Sequence, residues 1–265
     1  MALTESIGEA TINGLAYVGG LARLAGGSAR AIFIEPFHGR KLRISRAVHQ
    51  AMAVGVEALP IVSLISFFVG TIFALQSAYQ LRKLGALQFV ADAVAIAITR
   101  ELGPLMTAIM VVGRSGSSFA AEIGTMKVNE EIDALETMAL KPVHFLVAPK
   151  FLAMILMLPC LTTWADFMGV VGGGVFGVAS AGFTWVSYFH RTFDALVLRD
   201  VTTGLIKSVM FGIVITAVGC QEGFSTGLGS EQVGRSTTSA VVKSIFMVIL
   251  VDLVFTAIFY FTAPR

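Results

Sequence analysis

The sequence predicts an all-α integral membrane protein, with an N-terminal interfacial helix, five transmembrane helices and a short cytoplasmic helix between the second and third. Three observations carry that prediction. The 265 residues have a mean hydropathy of +0.81, only 14% charged residues and 20 Phe, which leaves too little polar surface to cover a soluble domain. Five apolar stretches, at roughly 54–75, 93–113, 151–171, 201–219 and 241–262, are each long enough to cross about 30 Å of hydrocarbon as a helix. Between the second and third, residues 129–140 read NEEIDALETMAL, with the hydrophobic period of a short amphipathic helix.

Residues 1–53 form an N-terminal cytoplasmic and interfacial segment ahead of a membrane domain over 54–265. Glu5 and Glu9 precede any cationic residue and no compact apolar core with a cleavage site follows, so this segment is expected to stay in the mature protein. Residues 7–34 mix Leu, Ile, Phe and Ala with small residues, Arg23 and Arg30. That pattern suits a helix lying in the cytoplasmic interface better than a sixth span. The basic stretch at 40–46 reads as a cytoplasmic anchor.

In the second span, Arg100 and Glu101 sit beside the helix-disrupting Gly103-Pro104, and GRSGSS at 113–118 reads as a Gly/Ser-rich turn. The amphipathic segment follows. At 100° per residue Val128, Ile132, Leu135 and Ala139 share one face, with Asn129, Glu130, Asp133, Glu136 and Thr137 opposite. Asn129 is a candidate N-cap, Glu130 and Glu131 sit where the helix dipole favours anions, and Lys141-Pro142 ends the run. A helix resting on headgroups is the alternative to a docking element, but the cytoplasmic leaflet is anionic and this helix is acidic.

The apolar run after Phe151 continues to Phe183, as one long tilted helix or as a helix followed by a partly buried turn. Within it Gly169, Gly173 and Gly177 form a row that lets another backbone approach closely, marking a packing face but no particular dimer. Cys160 and Cys220 fall in or at the edge of spans, where Cys behaves as a small apolar residue.

Orientation follows from Lys and Arg. Arg23, Arg30, Arg40, Lys41, Arg43, Arg46, Arg114, Lys127, Lys141, Lys150, Arg235 and Lys243 fall on one side, against Arg82, Lys83, Arg191, Arg199 and Arg265 on the other. The N-terminus and the acidic helix are therefore expected in the cytoplasm and the C-terminus in the periplasm. A net charge of +2 is too small to suggest nucleic-acid binding.

Ionisable residues within spans are costly unless paired or facing water. Arg100, Glu101, Lys207 and Asp252 are the candidates, with Glu57 and Asp166 weaker because each lies near a helix end or a possible kink at Pro60 or Pro159. Lys207 and Asp252 could simply staple two helices together. All four could instead line a cavity for a charged headgroup, and both roles could hold together. Gly229 to Ser236, GSEQVGRS, departs from the phosphate-binding loop pattern at Arg235, has no preceding strand and reads as a flexible turn. His38, His49, His144 and His190 have no ligand spacing, and no metal site or covalent catalytic arrangement is expected.

RELGPLMTAIMVVGRSGSSFAAEIGTMKVNEEIDALETMALKP at 100–142 resembles the signature of the MlaE/YrbE permeases, the membrane subunits of MCE-associated ABC lipid transporters. The likeness returns in GLGSEQVGRSTTSAVVKS and the Asp252 span, and covers most of the chain apart from the first 50 residues. It implies a homodimer in the bacterial inner membrane that moves phospholipid between inner and outer membranes. Each copy would rest on a cytoplasmic MlaF-like ATPase, which uses ATP and Mg, through a coupling helix at Asn129–Leu140. Its contact residues would be Asn129, Glu130, Glu131, Ile132, Asp133, Leu135, Glu136 and Met138. A hexameric MlaD-like MCE protein would cap the dimer, and an MlaB-like STAS protein often binds the ATPase. The chain itself would bind no cofactor and catalyse no reaction. By position in the matching segments, Arg100 and Glu101 would lie near the lipid, with Lys207 and Asp252 as intramembrane charges. A secondary transporter or channel for another amphipathic substrate is the rival class. It often shows an internal repeat, which this sequence lacks, and would leave the docking helix without use.

Overall fold

The computed structural model describes residues 2–34, 44–180 and 182–262; expectations on His38, Arg40, Lys41, Arg43 and Arg265 lie outside them. Among the described residues the chain is helical throughout: α1 (Ala2–Phe33), α2 (Ile44–Val54), α3 (Leu59–Lys83), α4 (Val90–Ala97), α5 (Gly103–Val111), α6 (Ser117–Val128), α7 (Glu131–Thr137), α8 (Ala148–Ser180), α9 (Trp185–Ala195), α10 (Leu198–Phe224) and α11 (Ser230–Thr262). Five segments are long and apolar enough to cross a membrane: Ser45–Lys83, Leu87–Val128, Val143–Ala179, Leu198–Phe224 and Ser230–Thr262. All five expected spans are present. Each is longer than its apolar stretch, because hydropathy marks the hydrocarbon crossing whereas helical hydrogen bonding continues into the polar ends.

The second span is α4, α5 and α6 joined end to end through wider π turns at Ile98–Leu102 and Val112–Gly116. Pro104 explains the first. It lacks the N–H that would reach the residue-100 carbonyl and its ring crowds that group, so the chain widens just upstream. A third π turn, Val143–Val147, stands in the same relation to Pro149. GRSGSS is therefore continuous helix and not a turn, since its glycines and serines keep their helical bonds.

Two ends can be told apart. At one, Arg191 Nη1 of α9 donates to the Gln88 carbonyl at 2.6 Å. At the other, Lys127 Nζ donates to the Phe224 carbonyl at 2.5 Å, beside α1 and α7. The run after Phe151 resolves as a single helix, α8, of 33 residues. It packs α3 so closely that a Cβ on Gly70 would collide with the Gly169 carbonyl and one on Gly172 with the Phe67 carbonyl. Thr71 Oγ1 bridges the crossing by donating to the Gly172 carbonyl at 2.9 Å.

The Gly169, Gly173, Gly177 row does mark a packing face, and its partners are in the same chain. A Cβ on Gly173 would stand 2.8 Å from both Tyr188 Oη and Val94 Cγ1. Tyr188, on the unexpected helix α9, is fully buried and donates to the Val170 carbonyl at 3.2 Å. Burial pushes its phenol up to about 12.

GSEQVGRS is helical from Ser230 on: Gly229, at φ 102, precedes α11, whose first turns carry an Arg235–Glu231 ion pair at 2.7 Å. α11 buries only Ala240, Ser244 and Val248, leaving Phe246, Leu253 and Phe261 on an outward apolar face. α1 is not among the five crossing helices, and its Leu24 packs with Ile123, Ile132, Leu135 and Phe151 at the α7 end.

Candidate functional site

The π turn at Ile98–Leu102 places Arg100 and Glu101 on one widened loop of helix, and their side chains take different partners. Glu101 Oε2 accepts from Lys207 Nζ of α10 at 2.5 Å. The same ammonium donates to Thr256 Oγ1 at 2.7 Å and lies 3.0 Å from Asp252 Oδ1, both on α11. Thr256 Oγ1 in turn donates a hydrogen bond to Glu101, at 3.2 and 3.3 Å from the two carboxylate oxygens. The expected Lys207–Asp252 pair exists, but as part of a cluster in which one lysine serves two carboxylates.

Arg100 turns instead to Asp200 at the start of α10, with Nε 3.6 Å from Oδ1. Asp200 is held for that role: its Oδ2 accepts from the Val197 backbone N–H at 3.1 Å, closing the first turn of the helix. The side chain of Lys207 is 1% exposed, whereas those of Glu101 and Arg100 are 37% and 43% exposed. The cation is thus buried, whereas the guanidinium and the Glu101 carboxylate beside it stay partly accessible. With all five groups ionised, Lys207 and Arg100 face Glu101, Asp252 and Asp200, so the site keeps one surplus negative charge. The accessible Arg100 and Glu101 can meet a group carrying both phosphate and amine, because each charge finds an opposite at short range.

Asp200 and Thr256 escaped the sequence reading. Asp200 looks like an ordinary first-turn acid, and Thr256 is neutral; its place one turn beyond Asp252 was the available signal. The weaker candidates stand elsewhere. Glu57 pairs with Arg114, which also donates to the Ala53 carbonyl at 2.8 Å, and Asp166 lies against Gly103.

The amphipathic helix is shorter than expected, Glu131–Thr137. Asn129 ends α6 and is not its N-cap; Glu130 takes that place in the left-handed region at φ 57, and Met138 closes the helix. Composition favours Asn at a cap, but the chain must reverse after α6 and does so one residue later. Ile132 and Leu135 are buried as expected, whereas Ala139, expected beside them, is exposed at φ 57. Glu131, Asp133 and Glu136 face outward. Leu135→Asp would place a carboxylate among Leu24, Ile123 and Phe151. α7 is then expected to detach while the spans stay folded, making 130–139 the first site of cleavage in limited proteolysis.

A five-span helical frame holding a charge cluster among apolar helices, with a short acidic helix between spans at one end, defines an all-α integral membrane protein. The family model described as Permease MlaE matches residues 47–258. The chain is 36% identical over 258 residues to a probable ABC transporter permease protein of Rickettsia felis, covering 97% of this chain and 98% of that one. It is 36% identical over 219 residues to a probable ABC transporter permease protein of Synechocystis sp., covering 83% of each. Over 220 residues it is 34% identical to Protein TRIGALACTOSYLDIACYLGLYCEROL 1, chloroplastic, of Arabidopsis thaliana, covering 83% of this chain and 63% of that one. The chain belongs to the MlaE permease family. It is a permease subunit of an ABC transporter.

Proposed function

We propose that this permease moves phospholipid between the inner and outer membranes of a bacterium, as a homodimer in the inner membrane. The observation that carries the reading is the cluster at Lys207, whose buried ammonium and accessible Arg100 and Glu101 offer polar anchors amid apolar helices. Acyl chains need only an apolar wall; a headgroup needs these few charges. The name of the Arabidopsis relative, which is that of a glycolipid, supports a lipid cargo.

The Lys and Arg excess supports an α7 end in the cytoplasm, with the N-terminus there and the C-terminus in the periplasm. α7 then meets an MlaF-like ATPase through Glu131, Asp133 and Glu136, with Asn129, Glu130 and Met138 at its rim and Ile132 and Leu135 seating it. ATP and Mg act in that partner, and this chain binds no cofactor. A hexameric MlaD-like MCE protein receives or supplies lipid at the α9 end, and an MlaB-like STAS protein binds the ATPase. Closure of the ATPase pair moves α7, and the cavity between two permease copies narrows around the headgroup.

The test is to purify the tagged chain from its native membrane and identify co-purifying proteins and lipids by mass spectrometry. An ATPase, an MCE protein and phospholipid enriched over bulk membrane are expected. Arg100→Ala should keep the proteins and lose most of the enriched lipid. A chain recovered with bulk lipid and no ATPase would overturn the proposal.

A further inference from the structure

A cavity with several charged and polar groups in its walls lies at the α7 end, at the opposite end of the spans from the Lys207 cluster. Its volume is about 410 Å³, within the usual range for ligand sites. On α2, Arg46, His49 and Gln50 stand at i, i+3 and i+4 and line one wall together. The other walls come from Glu122 and Met126 of α6, from Phe145 and Leu146 of the third π turn, and from Pro149 and Lys150 of α8.

The charges in this cavity are arranged and not scattered. Arg46 Cζ lies 3.8 Å from the centroid of the Phe145 ring, so one face of the guanidinium is covered and its N–H rim remains for a ligand. Among the described residues Arg46 pairs with no carboxylate. Lys150, 1% exposed, forms an ion pair with Glu122, whose side chain is 43% exposed. Glu122 therefore neutralises the buried lysine while its partly exposed side chain lines the cavity. A lone phosphate would meet Arg46 and His49 but also that carboxylate. A group with phosphate at one end and an ammonium at the other meets complementary charge at both.

What lies outside the cavity identifies the carrier of such a group. Val48 and Met52, on the outer side of α2, are 52% and 57% exposed. They continue an apolar surface down α3 through Ile61, Leu64 and Phe68. A headgroup in the cavity would leave its acyl chains along this wall.

We infer that this cavity binds the zwitterionic headgroup of a phospholipid from the leaflet at the α7 end, with phosphate at Arg46 and His49 and the amine at Glu122. It is a second lipid station, separate from the Lys207 cluster, and it holds whether or not the transported cargo is phospholipid. The permease therefore contacts headgroups near both of its ends.

The test is native mass spectrometry of the full complex released from nanodiscs of equimolar phosphatidylethanolamine and phosphatidylglycerol. The wild type is expected to retain phosphatidylethanolamine over phosphatidylglycerol. Arg46→Ala should weaken that retention about tenfold, the loss of one charge-assisted contact. Arg100→Ala, which acts at the other site, should leave the Arg46-dependent lipid in place. Excess inorganic phosphate should not displace it. Equal retention in wild type and Arg46→Ala, or loss of all bound lipid in Arg100→Ala alone, would overturn the inference. Displacement by inorganic phosphate would reassign the cavity to a free anion, and preference for phosphatidylglycerol would equally overturn the inference, because that headgroup has no amine for Glu122. Because Glu122 also holds Lys150, the amine contact is read from the wild-type preference and needs no Glu122 variant.

Discussion

Lys207→Met is expected to remove most of the folded permease from the membrane. The substitution leaves Glu101 and Asp252 without the ammonium they share, and Thr256 without its donor. Removing one partner of a buried ion pair costs about 3–5 kcal/mol, most of a typical stability margin. The damage lies in the stranded carboxylates and not in lost volume, because Met fills nearly the same space. Adding Glu101→Gln and Asp252→Asn should therefore restore the yield of monodisperse protein toward wild type. The triple variant should still move little lipid, since it keeps Arg100 but has lost the Glu101 carboxylate beside it. Thermal stability in detergent and a vesicle lipid-transfer assay read the two effects separately. Recovery of both would show that the cluster is only a staple between helices.

Gly172→Val should be nearly as damaging, for a reason of space alone. Any Cβ at this position meets the backbone carbonyl of Phe67, which has no rotamer to move into. α3 and α8 must separate, breaking the Thr71 bridge to the Gly172 carbonyl. Overpacking of this kind costs about 3 kcal/mol or more. Gly113→Ala is the matched control: nothing lies within 4 Å of its added Cβ, so the change should be neutral or mildly stabilising. Melting temperatures of the two variants should move in opposite directions or differ by several degrees. A common shift would mean that the α3–α8 crossing is looser than the structure shows.

The spans were legible because hydrocarbon demands about 20 apolar residues and little else in the chain supplies them. Lys207 and Asp252 stood out for the same reason, as charges with no cheap place to be. That Glu101 joins them was not readable, because it depends on how the second span rotates, and that rotation is set by the π turn before Pro104. Nor could Asp200 be found, since a first-turn aspartate is commonplace. The ends of α7 misled for a local reason: Asn129 is the better cap by composition, yet the reversal of the chain falls at Glu130. GRSGSS misled in the opposite way, since a cluster rich in turn formers is held helical by neighbours on both sides. α9 was missed because its 11 residues are too few and too polar to resemble a span.

The two left-handed residues that bracket α7, Glu130 and Ala139, each at φ 57, give the segment a mechanical character. Each costs on the order of 1 kcal/mol in a conformation that L side chains avoid, and burial of Ile132 and Leu135 offsets that cost. Corners that adopt this conformation only while Ile132 and Leu135 stay buried couple the shape of α7 to its seating. A load applied to the exposed acids of α7 would not be dissipated in slack linkers. It would reach α6 and the neighbouring helices through the seat of Ile132 and Leu135.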